Sequence, residues 1–512
     1  MNYTEIKSEL TQNIQATSKS IHDFVETYRK KLTDLFQTRN EESDLTSHRG
    51  LPPYVLRSVL ECKPLSTFIP TEYNGRGGST HEALAMLETT AYQSLPLSLM
   101  MGINGALFLQ PVANYGSNEA KETIFSRFLD KNNMGGLMIT EPDYGSDALH
   151  MQTHFEKRGN QYQIRGLKHW AGLTGWADYW LITAREKDEN GDLGRDIGFF
   201  VHDSNKGGID VKEYYDNLGL LMLPYGRNQI DIHVNESFRL QPKSTGVKMM
   251  LDTLHRSRLQ FPGMSTGHLK RVMDEAIQHC KERFVGGKSL IDYDQVKDRL
   301  AKIQAYFTVS SAMSYFTSNR VSLDRDTSRM DLEANTIKSV ATDFMQDASQ
   351  SLLQLFGAKG YRLGSIAGRA VIDSRPFQIF EGSNDILYQQ ISESVIKLMK
   401  GKKMTNLYEF LKSHSLSEYS SDYFKNSTNF SVDYQMAQRQ LVKLGRAISR
   451  IFSMDMTIRM GEDGFHPEMI ASSLQTIREE IEELLSSYRE SSKAGVVDDY
   501  KSGGSWLNLV KA

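Results

Sequence analysis

Proline is unevenly distributed along the chain, and no other feature limits the possible folds as strongly. Ten of the twelve prolines lie at or before Pro262, so only Pro376 and Pro467 fall in the second half. Because proline breaks helix interiors, that half is free to form long helices. Three segments there space apolar residues along one helical face. They are 268–284, 295–316 and 333–356.

The middle of the chain follows a different pattern. Between about 153 and 240, the runs QYQIRG, ADYWLITAR, IGFFVH and NQIDIHV are rich in β-branched and aromatic residues and are separated by Gly, Asn and Asp clusters. Such runs predict short strands. Before them, two helical patterns begin at good N-cap residues, Ser79 or Thr80 in the first and Ser117 in the second. The predicted order is helices, then an all-β insert, then helices.

The helical half continues beyond Met399. A basic KGKK sequence leads into HSLSEYSSDYFKNSTNFS, 414–431, whose composition predicts a loop. Two further helical patterns follow at about 432–460 and 467–489, and Pro467 suits the first turn of the second. The tail KSGGSWLNLVKA, 501–512, begins with a Gly-Ser stretch that predicts a flexible break after these helices.

Composition argues against several classes of function. The formal net charge of the 512 residues is −3, which gives no reason to expect nucleic acid as the main partner and leaves small neutral or mildly anionic ligands open. The two cysteines, Cys62 and Cys280, lack CxxC spacing, which argues against disulfides or a metal site and suits a reducing cytosol. Residues 1–15 lack the pattern of a signal or transit peptide, and we expect no apolar stretch near the roughly 20 residues of a membrane-spanning helix.

Two stretches have residues suited to holding a flat or phosphorylated ligand. In GGLMITEPDYGSD, 135–147, an apolar strand leads into a turn that carries Thr140 and Ser146. The hydroxyls and backbone N–H groups of this turn could bind a polar ligand, or they could only cap their own backbone. In GLKHWAGLTGWAD, 166–178, Trp170 stands among glycines and could form a cofactor wall or belong to the core.

Two predicted helix ends carry a hydrogen-bond donor beside glycines. Arg283 opens RFVGGK, and Gln354 opens QLFGAKGY. Either side chain could donate to a pyrophosphate group. An arginine at a helix C-terminus can also act only on the helix dipole.

Glu381 is the strongest candidate for chemistry. It lies in FQIFEGSND, after an apolar run and before a glycine, where Ser383 and Asn384 can cap the next helix. Burial raises the pKa of such a carboxyl group and a helix N-terminus lowers it, so a bound ligand can tune its basicity. The alternative is a structural glutamate paired with Arg369 or Arg375.

In this order, these segments resemble the acyl-CoA dehydrogenase family over about residues 50–400. TEPDYGSD resembles the family signature TEPxxGSD, and GLKHWAGLTGWAD resembles GxKxWIxxxxxAD. MDEAIQHCKERFVGGK is similar to DEAxxYxxxRxxFG, QLFGAKGY to QxxGGxGY, and IDSRPFQIFEGSNDI to RDxxxxxIYEGTxxI.

The resemblance implies a mainly α fold with an all-β middle domain. A helical N-terminal domain is expected first, then a β-barrel or sandwich, then a four-helix bundle with extra C-terminal helices. The expected domains are 1–135, with about 45 residues of extension at its start, then 136–242, 243–400 and 401–512.

The resemblance also implies a reaction. FAD is expected where the middle domain meets the bundle, and the expected step is the α,β-dehydrogenation of fatty-acid β-oxidation. A base removes the α-proton of an acyl-CoA thioester while the β-hydrogen leaves as hydride to the flavin. Glu381 falls on the family's catalytic glutamate. Its own backbone N–H and a flavin hydroxyl are expected to stabilise the developing enolate.

Further site residues are implied by their positions in the motifs. Contacts with the flavin of the same subunit are expected from Thr140, Ser146 and Trp170. Contacts with the FAD of a neighbouring subunit are expected from Arg283, Gln354 and Gly357, so a homodimer or dimer of dimers is the expected assembly. The ribose and phosphate side is assigned to Ser383 and Asp385. Substrate contacts are expected from Ser146, His255, Arg258 and Gly382.

The chain departs from the family pattern at two site positions. Gly172 stands where a Thr or Ser hydroxyl usually contacts the flavin, so that contact must come from a backbone group, from Thr174, or be missing. His255 replaces an acidic residue that often contacts the carrier arm, which leaves an acyl group on a carrier protein as an alternative substrate.

The electron acceptor and the last residues are also open. An electron-transfer flavoprotein is the expected acceptor, while an acyl-CoA oxidase and a non-catalytic flavoprotein or assembly factor stay alternatives. Residues 401–512 suggest a longer acyl chain, a peripheral membrane or partner contact, or extra packing between subunits.

Overall fold

A computed structural model describes residues 20–39, 45, 48–77, 79–490 and 495–510. The expectation about a leader peptide concerns residues 1–15, which lie outside the described part. The order of helices, then strands, then helices is confirmed. Neither Cys62 nor Cys280 forms a disulfide within the described residues.

In the described part of the chain before the sheet there are six helices, and their caps follow the sequence. They are α1 (Ile21–Thr33), α2 (Pro53–Leu60), α3 (Thr80–Gln93), α4 (Leu95–Asn104), α5 (Gln110–Tyr115) and α6 (Asn118–Lys131). The hydroxyl of Ser79 accepts from the Glu82 N–H at 3.3 Å, and that of Ser117 accepts from the Ala120 N–H at 3.1 Å. Both predicted N-caps are therefore confirmed.

The expectation about apolar stretches is wrong at α4 and α5. A π-helical turn, Gly105–Leu109, joins them into one helix from Leu95 to Tyr115, 21 residues that are long and apolar enough to cross a membrane. Its most apolar window is completely buried inside the protein. The side chain of Asn104 accepts from the Gly135 N–H at 2.7 Å, which fixes this helix to the start of the sheet.

Eight strands form the middle of the molecule. They are β1 (Gly135–Met138), β2 (His154–Arg158), β3 (Gln161–Gly172), β4 (Tyr179–Lys187), β5 (Leu193–Asp203), β6 (Ile209–Tyr214), β7 (Tyr225–Asn235) and β8 (Arg239–Leu240). They make one sheet in the order β6-β7-β3-β2-β4-β5-β8, and β1 pairs in parallel with β4. The sheet thus joins β3 and β7 along their whole length, and the loops at the Gly172 end of this pair build part of the candidate site.

The third region is helical. It contains α7 (Gly246–Arg258), α8 (Phe261–Glu282), a hairpin of Phe284–Val285 and Lys288–Ser289, α9 (Asp294–Arg320), α10 (Asp331–Phe356), α11 (Ile366–Ser374) and α12 (Asn384–Gly401). Two of the segments predicted from spacing, 295–316 and 333–356, lie within α9 and α10, and the third, 268–284, matches α8 except that its last two residues lie beyond the helix end. These three helices pack with α12 as a bundle. Helix α8 begins earlier than predicted because Pro262 lies in its first turn, where a missing N–H costs nothing.

The C-terminal extension adds α13 (Leu407–Lys412), α14 (Lys425–Thr428), α15 (Gln438–Glu462) and α16 (Pro467–Arg489). The prediction of a loop throughout 414–431 is wrong at Ser421–Phe424, a 3-10 turn, and at α14. Hydroxyl bonds to the main chain explain the error, because Ser420 donates to Ile451 O of α15 at 3.0 Å and Thr428 donates to Phe424 O at 2.7 Å. A serine-rich segment can be packed when its hydroxyls bond the main chain.

The extension shares one apolar core with the bundle. Helix α15 packs on α12, α9 and α10, and α16 packs on α15 and α9. The closest approach is at Gly445, where an added Cβ would lie 1.8 Å from the Tyr388 carbonyl oxygen. Only glycine allows α15 to lie this near the backbone of α12.

We predict that Gly445→Ala destabilises the C-terminal half by about 1–3 kcal/mol, because the methyl group must push α15 away from α12. Urea unfolding followed by circular dichroism measures the change. Gly401→Ala is the matched control, since an added Cβ there meets no atom within 4 Å. Equal midpoints for the two variants would contradict the close contact.

Candidate active site

A buried ion pair anchors the TEPDYGSD turn to the sheet. Lys168 on β3 donates to Glu141 Oε1 at 2.8 Å and to the Ile139 carbonyl at 3.0 Å, and both side chains are almost completely inaccessible. The Glu141 carboxylate also accepts from the Gln152 and Thr153 N–H groups, at 2.5 and 3.0 Å. The sequence motifs contained Glu141 and Lys168, but their mutual pairing was not predicted.

Each residue of this pair favours the ionised form of the other. Burial lowers the pKa of Lys168 to about 8, although Glu141 opposes that shift. Burial alone would raise the pKa of Glu141, but Lys168 and the backbone donors outweigh it and the pKa is lowered. The pair fixes the start of the turn. Thr140 is half-buried there, and its carbonyl accepts from the His169 N–H of β3 at 3.0 Å, whereas Ser146, further along the turn, is exposed.

Trp170 forms an open aromatic surface. The register between β3 and β7 shifts between His169 and Ala171, so Trp170 is the bulged residue, with φ +53° and 52% of its surface exposed. Its ring centroid lies 4.5 Å from that of Tyr215 and 6.2 Å from that of Tyr225. Trp180, by contrast, is buried in the core. Bulges commonly redirect a side chain at a functional site, and here the indole faces outward.

Gly172 and Thr174, the two positions that bear on the expected flavin contact, both lie in packed surroundings. A Cβ at Gly172 would lie 2.8 Å from Cδ1 of Ile103, so an apolar methyl group occupies the space beside this glycine. The Thr174 hydroxyl is buried, donates to Ala171 O at 2.8 Å and accepts from Asn228 at 3.1 Å. A flavin contact from Thr174 stays a prediction, and its hydroxyl already has two partners within the β domain.

Glu381 lies in a tight left-handed turn between α11 and α12. Its φ is +53° and that of Gly382 is +91°. Arg258 Nε donates to the Glu381 carbonyl at 3.0 Å, and Lys338 Nζ donates to the Gly382 carbonyl at 2.8 Å. The structure gives the Glu381 carboxylate a partner other than Arg369 or Arg375, because Ser257 donates to its Oε1 at 2.9 Å.

The second carboxylate oxygen is available for chemistry. Glu381 Oε2 is buried and has no hydrogen-bond partner in the described part of the chain. Burial raises the pKa of Glu381, while Arg258, Ser257 and Lys338 act in the opposite direction. The result is a carboxylate more basic than an exposed glutamate, held with one oxygen free.

The predicted caps of α12 are corrected. Ser383 occupies the N-cap position, but its side chain makes no capping bond. Asn384 is buried in the first turn and its side chain contacts Lys338 and Asp343 instead. The reason is the buried charge below this turn, which takes the polar groups of Asn384 away from the helix end.

The β domain and the bundle meet at Tyr225. Burial and the nearby Glu381 carboxylate both raise the pKa of this phenol, which also faces the Trp170 ring. Close by, the Leu220 N–H donates to Asp373 Oδ1 of α11 at 2.6 Å, and burial raises the pKa of Asp373 to about 6. The fold therefore brings Trp170, Gly172 and Glu381 around one joint.

The remaining sequence-predicted residues fall into two groups. His255 and Arg258 are buried on α7, and His255 Nδ1 lies 2.9 Å from the Thr327 carbonyl, so that nitrogen carries the hydrogen. Three residues are exposed at the ends of α8 and α10. They are Arg283, Gln354 and Gly357. Ser383 is half-buried and Asp385 is exposed at the start of α12.

Comparison with known proteins matches three segments of the chain to family domains. Family models of acyl-CoA dehydrogenase match residues 15–132 with the N-terminal domain, 136–232 with the middle domain and 244–396 with the C-terminal domain. The expected boundaries, including the extension before residue 45, stay predictions.

Curated relatives show distant similarity. The chain is 24% identical over 401 residues to a glutaryl-CoA dehydrogenase of Desulfococcus multivorans, covering 77% of this chain and 99% of that one. It is 23% identical over 383 residues to the mitochondrial very long-chain specific acyl-CoA dehydrogenase of Rattus norvegicus, covering 74% of this chain but 58% of the rat protein.

A solved structure includes the extension in its similarity. The acyl-CoA dehydrogenase of Bacillus anthracis complexed with FAD superposes with a TM-score of 0.74 at 17% identity, covering 96% of this chain and 92% of that one. At this identity the likeness concerns the fold. Taken with the three matched domains, it places this chain in the acyl-CoA dehydrogenase family, a family of FAD-dependent oxidoreductases.

Proposed function

We propose that this protein dehydrogenates an acyl-CoA thioester between Cα and Cβ, with Glu381 taking the α-proton and FAD accepting the β-hydrogen as hydride. The observation that carries the proposal is the Glu381 carboxylate, which is buried, has a raised pKa and keeps Oε2 without a partner. A general base needs these properties together, because an α-proton beside a thioester is only weakly acidic.

The residues present fit FAD. Trp170 offers an exposed indole against which a flat ring system can stack, and the exposed turn around Ser146 offers hydroxyl and N–H donors. When bound, FAD supplies the hydride acceptor. Tyr225 contacts the Trp170 ring on one side and lies near the Glu381 carboxylate on the other. The base and the cofactor surface therefore lie on opposite sides of Tyr225, where the β domain meets the bundle.

The Glu381 loop also supplies a donor for the developing enolate. In the described part of the chain, no acceptor bonds the Glu381 N–H. The bonds from Arg258 and Lys338 to the Glu381 and Gly382 carbonyls hold the turn that presents this N–H. A preorganised donor of this kind stabilises negative charge on the thioester oxygen.

Aromatic side chains exclude water behind the base. The rings of Phe377 and Phe380 lie 5.0 Å apart, and both contact Phe261 on α8, at 5.7 and 6.2 Å. Phe261 and Phe377 are completely buried. A dry surrounding keeps the carboxylate basic and strengthens its interaction with the substrate.

CoA is the proposed carrier of the acyl group. His255, whose place in the motif suggested a carrier protein, is buried and bonded to Thr327, and burial followed by Arg258 lowers its pKa. It is therefore neutral at neutral pH and gives no charge with which to select a carrier arm. We also propose an electron-transfer flavoprotein as the electron acceptor and a cytoplasmic location. The location is consistent with two cysteines that form no disulfide within the described residues.

A second copy of the chain is part of the proposal. Arg283, Gln354 and Gly357 lie beside strongly exposed apolar side chains, Phe284 at 65% and Tyr361 at 83% exposure. Exposed apolar groups around polar donors are typical of an interface. Through it, the three polar positions would reach the FAD of the neighbouring subunit.

We predict that Glu381→Gln retains FAD but lowers turnover by about 10²–10⁴-fold, since an amide cannot accept the α-proton. Anaerobic bleaching of the flavin by acyl-CoAs of graded length measures this step. Glu393→Gln, an exposed glutamate on α12, is the control and should bleach at the wild-type rate. Wild-type bleaching by Glu381→Gln would mean that another residue is the base.

The pH dependence tests the bond from Ser257. This bond favours ionised Glu381, so Ser257→Ala should raise the pKa of Glu381 further. Because the base must be ionised, activity falls as pH falls through its pKa. The acid limb of the kcat/KM profile should therefore move to higher pH in Ser257→Ala.

Ser265→Ala is the control for this profile, as its buried hydroxyl contacts Ser310 rather than Glu381. It should leave the acid limb where the wild type has it. If the acid limbs of Ser257→Ala and the wild type coincide, the bond from Ser257 does not affect the pKa of Glu381.

We predict that Phe284→Asp weakens self-association by at least about tenfold, or about 1.4 kcal/mol, because a charge replaces an apolar interface group. Sedimentation over a concentration series measures the assembly, and visible absorbance measures retained FAD. Tyr423→Asp, which alters a similarly exposed aromatic residue in the extension, should change neither. Undiminished association of Phe284→Asp would place the interface elsewhere.

A further inference from the structure

A buried polar network connects the Glu381 loop with helix α15 of the C-terminal extension. Six of its side chains are called the Asp343 network here, and Gln378 also donates to Asp343 Oδ1, at 2.8 Å. The six are Lys338, Asp343, Asn384, Tyr388, Arg446 and Arg450. The first four belong to α10 and α12, and the two arginines belong to α15.

At its loop end, the network holds Asn384 in a single orientation. Lys338 Nζ donates to Asn384 Oδ1 at 2.9 Å and to the Gly382 carbonyl at 2.8 Å. Asn384 Nδ2 donates to Asp343 Oδ1 at 2.7 Å. A cation on one side and a carboxylate on the other leave no choice of amide orientation.

Asp343 is the centre of the network. Its Oδ2 accepts from Tyr388 at 2.6 Å, from Arg446 at 3.1 Å and from Arg450 at 3.2 Å. Burial alone would raise the pKa of Asp343, but Arg450 and Arg446 outweigh it and lower the pKa to about 2. A buried carboxylate without such partners is strongly unfavourable, so the charge of Asp343 depends on the extension.

Arg450 occupies a site built around it. Its side chain is buried, its guanidinium lies 4.5 Å from the centroid of the Phe344 ring, and its Nε lies 3.5 Å from Glu480 on α16. Glu480 in turn accepts from Tyr306 of α9 at 2.6 Å. The extension and the bundle thus both fix the direction in which Arg450 reaches Asp343.

We propose that Arg450, assisted by Arg446, is a positioning residue for the Glu381 loop. By pairing with Asp343 it fixes Asn384 and the first turn of α12, and through Lys338 it fixes the Gly382 carbonyl beside Glu381. The inference rests on the proposed function, in which Glu381 is the base. It gives residues 438–462 a part in the site although they lie outside the three family-matched domains.

Hydrogen exchange of the full-length holoenzyme without substrate tests the coupling. In Arg450→Met, amide hydrogens in the first turns of α12, residues 387–391, should exchange at least about tenfold faster than in the wild type, because a charge-assisted bond below them is lost. Mass spectrometry of a peptide covering 380–395 gives this rate.

Arg459→Met is the matched control. Arg459 lies on the same helix and pairs with Asp455 at 2.6 Å and Glu418 at 2.8 Å, both inside the extension. This variant should loosen residues 415–420 and leave 380–395 unchanged. If Arg450→Met loosens only α15, or if both variants affect 380–395 equally, the positioning role is wrong.

Turnover gives a second readout. Arg450→Met should lower kcat about tenfold with little change in KM, because the base is displaced while the acyl-CoA surface is kept. Arg450→Lys keeps the charge and should recover part of the loss. An unchanged kcat, or equal losses in Arg450→Lys and Arg450→Met, would contradict the proposal.

Tyr388→Phe tests the same route if Arg450→Met does not fold. It removes the bond from Tyr388 to Asp343 and the longer one from Arg450 to the Tyr388 hydroxyl, but keeps the pairing of Arg450 with Asp343. Residues 380–395 should therefore exchange faster by a smaller factor, and unchanged exchange would again contradict the proposal. The exchange experiment needs no catalysis, so its failure is separate from that of the proposed function. If exchange is faster in the Arg450 or Tyr388 variant but Glu381→Gln is fully active, Glu381 is not the base, while the coupling between the extension and the Glu381 loop still holds.

Discussion

The left-handed turn at Glu381 and Gly382 is the constraint on which the site depends. A residue other than glycine in this conformation costs about 1–3 kcal/mol, and it persists only where surrounding groups hold it. Here Arg258 and Lys338 bond to the two carbonyls of the turn. Because both donors come from other helices, α7 and α10, the carboxylate can emerge at the joint with the β domain instead of lying along α12.

Two buried lysines perform the same task in different domains. Lys168 bonds the Ile139 carbonyl at the root of the TEPDYGSD turn, and Lys338 bonds the Gly382 carbonyl in the Glu381 turn. Burial lowers their pKa values, to about 8 and about 7, and nearby carboxylates oppose the shift in both cases. Both sides of the site are therefore fixed by ionic groups that reach the backbone, in addition to apolar packing.

The sequence predicted the fold order and singled out Glu381 as the candidate base, since both depend on local patterns. Proline distribution and strand-like runs separated the three regions, and the FQIFEGSND motif identified Glu381. Ser257, Lys338 and Asp343 were missed because their partners lie far away in the chain and a polar residue on a helix usually faces solvent. The same reason explains Asn384, whose local sequence predicts a cap while a distant carboxylate determines its contacts.

The Asp343 network also raises the question of why the extension contacts the bundle through charged side chains. Replacing a buried ion pair with apolar side chains is often neutral or stabilising, so stability alone does not account for Asp343 and Arg450. The apolar residues of α15 that face the bundle, such as Ile448 and Ile451, could pack in more than one register. Arg450 pairs with Asp343 of α10 and not with Asp347, one turn further along the same helix, so this pairing corresponds to one register of α15 against α10 and α12. A register error there would displace Asn384, and with it the turn that carries Glu381.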